Sequence, residues 1–420
     1  MSGLRTPAAE AKLAIDLKRL WSTIERSAQI GPGVKGGLRR LAASDHDKQV
    51  RDQLAEWCRE AGLELRIDKL GNMFALRKGR YGALAPVAIG SHLDSQYAGG
   101  RYDGVLGVMA GLEVMRTLND NGIETKRPLC LINWTNEEGA RFSPPIACSG
   151  AFAGVHEPDW VMSRTDDDGK TLGGELRRIG YSGPSTVTGH RLESYLELHI
   201  EQGPVLDAEK VPVGIVTGGY KVYGVQVDFR GATAHSGPTP MGKRRDALVA
   251  AARCVAAVND IGWRYQATGG KATAPRLVAW PNKPGILAEW AQVNLDVRHA
   301  DAAKAAQMRD EMLAAILQAA AKANVESEIL SRWEFGSERF DPEMIDTVRA
   351  AARKLGVATR DLVSEAGHDA YSVSRMAPTA MIFTPCKDGI SHNEAEHVDP
   401  EAAEPAVNVL LHAVLARANR

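Results

Sequence analysis

The stretch that decides the fold is residues 86–119, PVAIGSHLDSQYAGGRYDGVLGVMAGLEVMRTLN. It opens with a short, mostly apolar run of the kind found in a strand that is buried on both faces. A glycine-rich turn follows, and residues 104–119 then repeat apolar side chains at helical spacing. The sequence therefore predicts a buried strand that ends at His92, a turn that contains Asp94 and Asp103, and a helix packed on a sheet.

Outward from this unit, strands and helices continue to alternate along the chain. Residues 128–134 (PLCLINW) and 196–200 (LELHI) are predicted to be buried strands. Toward the C-terminus, a helix at 342–355, a strand at 378–383 (PTAMIF) and a helix at 401–417 return to the same pattern. The predicted fold class is α/β, with a mixed sheet covered by helices.

The segment between these two regions has a different pattern. Residues 222–231 (VYGVQVDFRG) alternate polar and apolar side chains, and residues 244–262 have the periodicity of a helix. Two more alternating runs, APRLVAW and AQVNLDVRH, precede an alanine-rich helix at 302–323. Such a set forms a self-contained α+β unit, which predicts an inserted domain. The predicted division is 1–212 for the first part of the main domain, 213–329 for the insert and 330–420 for the second part.

The composition excludes several classes of protein. The chain has 420 residues, of which 44% are hydrophobic, so a disordered protein is not expected. Its 51 Lys and Arg residues balance 52 Asp and Glu residues, which offers no general attraction to nucleic acid or to a membrane surface. No apolar run approaches the ~18 residues of a membrane span. The five cysteines are scattered, and the N-terminal stretch lacks the apolar core of a signal peptide, so we expect a cytoplasmic protein.

Side chains that can bind metal lie where the predicted strands end. These candidates are His92, Asp94, Asp103, Glu137, Glu138, His199, Glu201 and His392. Ligand sites of α/β sheets collect at the carboxyl ends of the strands, so we expect these side chains to share one crevice. One histidine at a strand end is usually structural, but several such groups together favour a metal site. Imidazole and carboxylate donors without thiolate suit zinc, manganese, cobalt or nickel.

At these residues the sequence resembles the hydantoinase/carbamoylase branch of the aminoacylase-like di-metal amidohydrolases. The motifs that carry the resemblance are GSHLDSQYAGGRYDGVLGVMAGLEV, WTNEEGARFSPPIACSGAFAG, LELHIEQGPVL, ATAHSGPTPMGKRRDA, NLDVRH and AGHDA…SHNEAEH. They occur in the family's order and spacing from about residue 30 to the C-terminus. As a set they are specific for the branch, which includes N-carbamoyl-L-amino-acid amidohydrolases, β-ureidopropionases and allantoate amidohydrolases, but not for one substrate.

The resemblance implies two divalent metal ions per subunit, with zinc as the first expectation and manganese, cobalt or nickel as alternatives. Asp103 would bridge the two ions. The other implied ligands are His92 and His199 for the first ion, and Glu138 and His392 for the second. Asp94 would hydrogen-bond His92 and so fix the tautomer of its ring.

The resemblance also implies residues for catalysis and substrate binding. Glu137 would be the general acid/base that takes a proton from the attacking water and passes it to the leaving nitrogen. His235, in the insert, would reach the partner subunit's site and stabilise the oxyanion, which implies a homodimer and an insert that serves as lid and dimerisation domain. Gln202 and Arg298 match substrate-binding positions, and Arg298 would grip a substrate carboxylate. We also expect the AGHDA segment to line the pocket, with the backbone around Gly367 in contact with the substrate.

The implied reaction is hydrolysis of an N-carbamoyl (ureido) amino acid or a related ureido acid to ammonia, carbon dioxide and the free amine. Three positions depart from the family's pattern and leave the substrate open. Gly285 stands where an asparagine is usual, Tyr220 replaces a glutamine, and Glu365 precedes AGHDA where glycine is common. Each change alters the polar groups offered to a substrate.

Two other functions stay open at this stage. The same metal centre could serve an N-acyl-amino-acid amidase or a dipeptidase, which would release a carboxylic acid instead of ammonia and carbon dioxide. A silent binding protein with this fold is a further alternative, and the presence of every implied ligand together with Glu137 argues against it.

Overall fold

The computed structural model describes residues Leu13–Arg420, and this part of the chain divides into two compact units. The first unit comprises the described residues up to Thr217 together with Arg339–Arg420, and the second comprises Gly218–Glu338. Among the described helices, none has both the length and the apolar character needed to cross a membrane.

Strands and helices are numbered separately in chain order within the described residues. The strands are β1 (Glu64–Ile67), β2 (Met73–Arg77), β3 (Val87–His92), β4 (Leu129–Trp134), β5 (Ser194–Ile200), β6 (Val213–Gly219), β7 (Lys221–Arg230), β8 (Lys271–Trp280), β9 (Trp290–His299), β10 (Glu326–Phe335), β11 (Thr359–Ser364) and β12 (Thr379–Thr384). The α-helices are α1 (Leu17–Ala28), α2 (Asp45–Glu60), α3 (Val105–Asp120), α4 (Ala147–Phe152), α5 (Pro158–Met162), α6 (Leu172–Arg178), α7 (Val205–Glu209), α8 (Ala247–Tyr265), α9 (Ala302–Ala323), α10 (Pro342–Leu355), α11 (Asp369–Val373) and α12 (Pro400–Ala418).

The first unit is built on an eight-stranded sheet in the order β1-β2-β4-β3-β5-β12-β6-β11. Strands β4, β3, β5 and β12 run parallel at its centre, and β2 and β6 pair antiparallel with the outer two of these. Every residue of the four central strands is buried. Helix α3 packs on β3, β4 and β5, and α12 packs on β5 and β12. The predicted α/β class with a helix-covered mixed sheet is confirmed.

Residues 86–119 form the strand, turn and helix that their sequence pattern predicts. Strand β3 carries Val87, Ala88 and Ile89, which are fully buried because their apolar side chains lie under helices on a central strand. Helix α3 begins after Gly104, whose positive φ of 69° permits the sharp entry that a residue with a Cβ would resist. The turn between them places Asp94 and Asp103 at the carboxyl end of β3.

The second unit has its own sheet and its own core. The sheet is antiparallel in the order β10-β7-β9-β8. Alternate residues of β7, namely Val225, Val227 and Phe229, are buried against helices α8 and α9. This alternation is the one that the sequence shows, since one face of an antiparallel sheet packs on a core and the other does not.

The edges of the insert differ from the predicted 213 and 329 because strand pairing, not local pattern, decides where each edge strand belongs. Strand β6 begins at Val213 but pairs with β12 in the large sheet. Strand β10 continues to Phe335 and pairs with β7 along its whole length in the small sheet. The run ESEILSRWEF at 326–335 alternates in exposure residue by residue, as expected for an edge strand with one face toward the core.

Candidate metal centre

Three donors from two strands and a turn form the first group. His92 ends β3, His199 lies near the end of β5, and Asp103 precedes α3. One ligand atom from each residue lies within 4.8 Å of the others. His199 Nε2 is 3.2 Å from Asp103 Oδ1, and His92 Nε2 is 3.9 Å from the same oxygen.

The two imidazoles of this group are held in the form that binds a cation. His92 Nδ1 donates to the backbone oxygen of Asp94 (2.9 Å), and His199 Nδ1 donates to that of Ile200 (3.0 Å). A carbonyl can only accept, so each Nδ1 carries the proton and each Nε2 keeps its lone pair. Burial also lowers the pKa of His92, to about 4, and lowers the pKa of His199, so both rings are neutral near pH 7.

Asp103, Glu138 and His392 form a second group, again with one ligand atom each within 4.8 Å. His392 Nε2 lies 3.1 Å from Asp103 Oδ2 and 3.3 Å from Glu138 Oε2. The two groups therefore share Asp103, whose Oδ1 faces one and whose Oδ2 faces the other. This is the arrangement that two neighbouring cations need, because one carboxylate must contact both.

Two buried atoms at these groups have no hydrogen-bond partner. They are His199 Nε2 and Glu138 Oε1. A buried polar atom without a partner is costly unless something outside the protein satisfies it. The donors are imidazole and carboxylate groups, which suit zinc, manganese, cobalt or nickel. The residues present therefore fit a pair of divalent cations.

Asp94 contacts both His92 and the Glu137-Glu138 turn. It contacts His92 through its backbone oxygen and not through its carboxylate. The carboxylate instead accepts the backbone N–H groups of Glu137 (3.2 Å) and Glu138 (3.3 Å). Asp94 therefore does hydrogen-bond His92 and fix the tautomer of its ring, because the strand end offers a carbonyl to Nδ1, and the carboxylate remains free to hold the Glu137-Glu138 turn.

Glu137 lies beside the first group without belonging to it. Its Oε2 is 3.5 Å from His92 Nε2, and the residue is buried. Burial, then the charges of Asp369 and Glu138, raise the pKa of the Glu137 carboxyl well above its usual value. A carboxyl group with a raised pKa next to a cation site is suited to hold and transfer a proton.

The pKa of His392 is raised, whereas the pKa values of His92 and His199 are lowered. Burial acts to lower the pKa of His392, but the charge of Glu138 and the hydrogen bond and charge of Asp103 outweigh this effect and raise the pKa to about 10. For Asp103, burial acts to raise the pKa, and the hydrogen bond and charge of His392 hold it well below the usual range. Without a cation, His392 is therefore a protonated partner of Asp103.

Gln202 is placed at the second group. Its φ of 56° is left-handed, and its Nε2 donates to Asp103 Oδ2 (2.9 Å) and to Ser391 Oγ (3.2 Å). Its Oε1 is buried and has no hydrogen-bond partner. Gly367 lies half-buried in the loop between β11 and α11, where Glu365 is exposed.

Sequence reasoning missed the buried groups behind the first donor set. Glu197 accepts from Ser91 Oγ (3.3 Å), Tyr195 Oη (3.1 Å) and the backbone N–H of Ala370 (3.0 Å). It forms a third cluster of metal-type donors with His199 and His368. Its oxygens already have partners, so this cluster is suited to support His199 instead of holding an ion. The glutamate within LELHI was the available signal.

The remaining candidates belong to the second unit. His235 is exposed, and its Nδ1 accepts the backbone N–H of Gly237 (3.1 Å), so a neutral ring carries its proton on Nε2. The His235 segment pairs with the segment of Gly285 through Ser236 N–H to Gly285 O (3.0 Å). Arg298, near the end of β9, is engaged by Asp296 Oδ1 at 2.8 Å.

Known proteins are similar to this chain over nearly its whole length. The model of the peptidase family M20/M25/M40 matches residues 88–416. An N-carbamoyl-L-amino-acid amidohydrolase of Rhizobium meliloti is 43% identical over 96% of this chain and 96% of its own length. An N-carbamoyl-L-amino acid amidohydrolase of Geobacillus stearothermophilus is 33% identical over 94% of this chain and 97% of its own length.

A solved structure agrees with these sequence matches. The amidase of the hydantoinase/carbamoylase family from Burkholderia vietnamiensis superimposes with a TM-score of 0.94 at 44% identity, covering 98% of this chain and 99% of that one. The resemblance stated from the motifs is confirmed. The chain therefore belongs to the peptidase family M20/M25/M40, in its hydantoinase/carbamoylase branch.

Proposed function

We propose that this protein is a metal-dependent amidohydrolase that cleaves the C–N bond of an N-carbamoyl amino acid. One water and one ureido group give the free amine, ammonia and carbon dioxide. The observation that carries the proposal is the shared carboxylate Asp103, whose two oxygens face two separate donor groups, with buried Glu137 beside them. The named activity of relatives that align over the whole chain supports the substrate class.

The proposed centre takes two divalent cations per subunit. His92, Asp103 and His199 would hold the first, and Asp103, Glu138 and His392 the second. Zinc is our first expectation, with manganese, cobalt or nickel as alternatives that the donor set also suits. When bound, the cations lower the pKa of water toward neutrality and polarise the scissile carbonyl.

Glu137 is proposed to move the protons. Its carboxylate takes a proton from the attacking water and then gives it to the leaving nitrogen. Asp94 holds the Glu137 backbone in place through the N–H groups that its carboxylate accepts. Asp94 thus fixes the backbone from which the Glu137 side chain extends toward the donor groups.

Substrate binding is proposed to involve Arg298, Gln202 and Gly367. The planar guanidinium of Arg298 suits a substrate carboxylate, which would replace its contact with Asp296. His235 is proposed to donate its Nε2–H to the oxyanion in the site of a second subunit, which requires a homodimer in which the second unit acts as lid and dimerisation domain. The five cysteines are unpaired and buried, as in proteins of the reducing cytoplasm, where we propose that the enzyme acts.

A substrate panel tests the proposal. Metal-reconstituted protein is offered carbamoyl-L-amino acids, carbamoyl-β-alanine, allantoate, and N-acetyl and N-formyl amino acids. We expect ammonia and the free amine in equal amounts from a carbamoyl amino acid. Release of a carboxylic acid from the acyl substrates, without turnover of any ureido compound, would assign the alternative activity of an N-acyl-amino-acid amidase or dipeptidase.

A further inference from the structure

Glu396 joins the two segments that make up the second donor group. It is almost completely buried, with 5% of its surface exposed. Its Oε1 accepts the backbone N–H groups of Tyr102 (2.9 Å) and Asp103 (3.1 Å), and its Oε2 accepts from Ser391 Oγ (2.8 Å). One carboxylate thus ties the turn that carries Asp103 to the loop that carries His392.

The surroundings of Glu396 are shaped for this contact. A Cβ added at Gly100 would lie 2.0 Å from the Glu396 carboxyl carbon, so only glycine leaves room for the side chain there. The two N–H groups that Glu396 accepts stand just before α3, where an anionic group is also favoured by the helix dipole. Glu396 is therefore the acceptor for both backbone N–H groups, and it makes a shorter contact with Ser391 Oγ (2.8 Å) than Asp103 Oδ2 does (3.3 Å).

A second glutamate of the same loop makes a similar contact in another direction. Glu394 accepts the backbone N–H groups of Lys35 and Gly37, the latter at 3.1 Å. It anchors the loop to an N-terminal turn that contributes no donor to either group. The two glutamates, two positions apart, offer a matched pair for experiment.

We propose that Glu396 is a positioning residue that holds Asp103 Oδ2 and His392 at the spacing a second cation requires. The proposal rests on the two-cation centre proposed above. The first group depends less on Glu396, because His92 and His199 are carried by the central strands β3 and β5. His392 lies on a loop with 49% of its side chain exposed, so its position relies on the hydrogen bonds of that loop.

Titration of metal-free protein with cobalt(II) tests the proposal, with calorimetry for the affinities and visible absorption for the coordination. Wild-type protein is expected to bind two ions per chain. In Glu396→Ala the second ion should bind roughly 10–100-fold more weakly, as is usual when a supporting partner of a ligand is lost, while the first changes little. Glu396→Gln keeps an acceptor for both N–H groups and should recover most of the affinity. Glu394→Ala is the control and should bind both ions like wild type.

Several outcomes would overturn the proposal. Wild-type affinity for both ions in Glu396→Ala would do so, as would equal loss of both ions from a folded Glu396→Ala protein. If Glu396→Ala does not fold, Gly100→Ala displaces the Glu396 carboxyl group, because the added Cβ would lie 2.0 Å from its carboxyl carbon, and should weaken the second ion selectively. A wild-type protein that binds no second cobalt would refute the two-cation centre itself, which distinguishes that failure from one of Glu396 alone.

Discussion

At the scale of single residues, Glu137 and Glu138 are neighbours in sequence with different surroundings. Glu138 Oε2 lies 3.3 Å from His392 Nε2 in the second donor group, whereas Glu137 Oε2 lies 3.5 Å from His92 Nε2 beside the first. Both backbones are held by the Asp94 carboxylate. The different proposed roles, metal ligand for Glu138 and proton carrier for Glu137, therefore follow from the direction in which each side chain leaves the turn.

Substitution separates these roles. Glu137→Gln keeps the shape but removes the proton acceptor, so metal content should persist while kcat falls by about 10²–10⁴. Asp103→Ala should instead lose bound metal, because it removes both Oδ1, which faces the first donor group, and Oδ2, which faces the second. Elemental analysis after dialysis and steady-state kinetics measure the two effects. Near-normal turnover by Glu137→Gln would show that another group moves the proton.

The state of His392 predicts how metal binding depends on pH. The pKa of His392 is raised to about 10 in the metal-free protein, because Glu138 and Asp103 outweigh the effect of burial. At pH 7 the ring is therefore protonated, and a cation must displace that proton to use Nε2. Affinity for the second ion should rise with pH below about 10, roughly tenfold per pH unit for one exchanged proton. Calorimetry in buffers of different protonation enthalpy measures the released proton, and a pH-independent affinity would contradict the assignment.

At the scale of elements, the turn between β3 and α3 is fitted around His92. A Cβ added at Gly104 would lie 2.4 Å from the His92 imidazole, and the φ of Gly104 is +69°. Gly122, just after α3, has a similar φ of +61° but open space around it. A substitution at Gly122 would therefore cause backbone strain alone, whereas the same substitution at Gly104 would cause backbone strain and also a clash with His92.

Gly104→Ala and Gly122→Ala should both lower the free energy of unfolding by about 1–2 kcal/mol through left-handed strain. Only Gly104→Ala should also displace the His92 ring, and a loss of roughly 10–100-fold in metal affinity is expected from such a shift. Urea unfolding and metal titration measure the two quantities. Equal metal affinity in both variants would show that the turn adapts without moving His92.

At the scale of the whole molecule, the proposed chemistry is divided between the two units. The donor groups and Glu137 belong to the first unit, and His235 and Arg298 belong to the second. His235 is exposed, and because its Nδ1 accepts the backbone N–H of Gly237, Nε2 is the ring atom that can donate to another group. A role for His235 therefore depends on how complete chains assemble.

Mixed dimers test this role. His235→Ala should bind metal nearly as wild type does and lose kcat strongly, because the lost hydrogen bond forms mainly in the transition state. Mixing inactive His235→Ala with inactive Glu137→Gln creates dimers in which one site has Glu137 from one chain and His235 from the other. Activity should return in these dimers. Verified mixed dimers that stay inactive would show that His235 does not act across subunits.

The sequence by itself determined the α/β class, the buried strands and the residues that could bind metal. These features are local: apolar runs such as 86–92 mark a central strand, and the polar residues that follow must emerge at its carboxyl end. His92, Asp103, Glu138, His199 and His392 were therefore among the candidates before any contact was known, and the resemblance to the family implied that these five were the ligands.

Only the tertiary structure decided which groups support these residues and where the second unit begins and ends. The contacts of Asp94 with the Glu137-Glu138 turn and of Glu396 with the Asp103 turn join segments that are distant in sequence. Likewise, strands β6 and β10 have sequence patterns that fit either sheet. Pairing with β12 places β6 in the large sheet, and pairing with β7 places β10 in the small sheet. These assignments depend on hydrogen bonds between backbone groups that are remote in sequence. Such bonds form only in the folded chain, so the side-chain pattern of one segment does not specify which strand it pairs with.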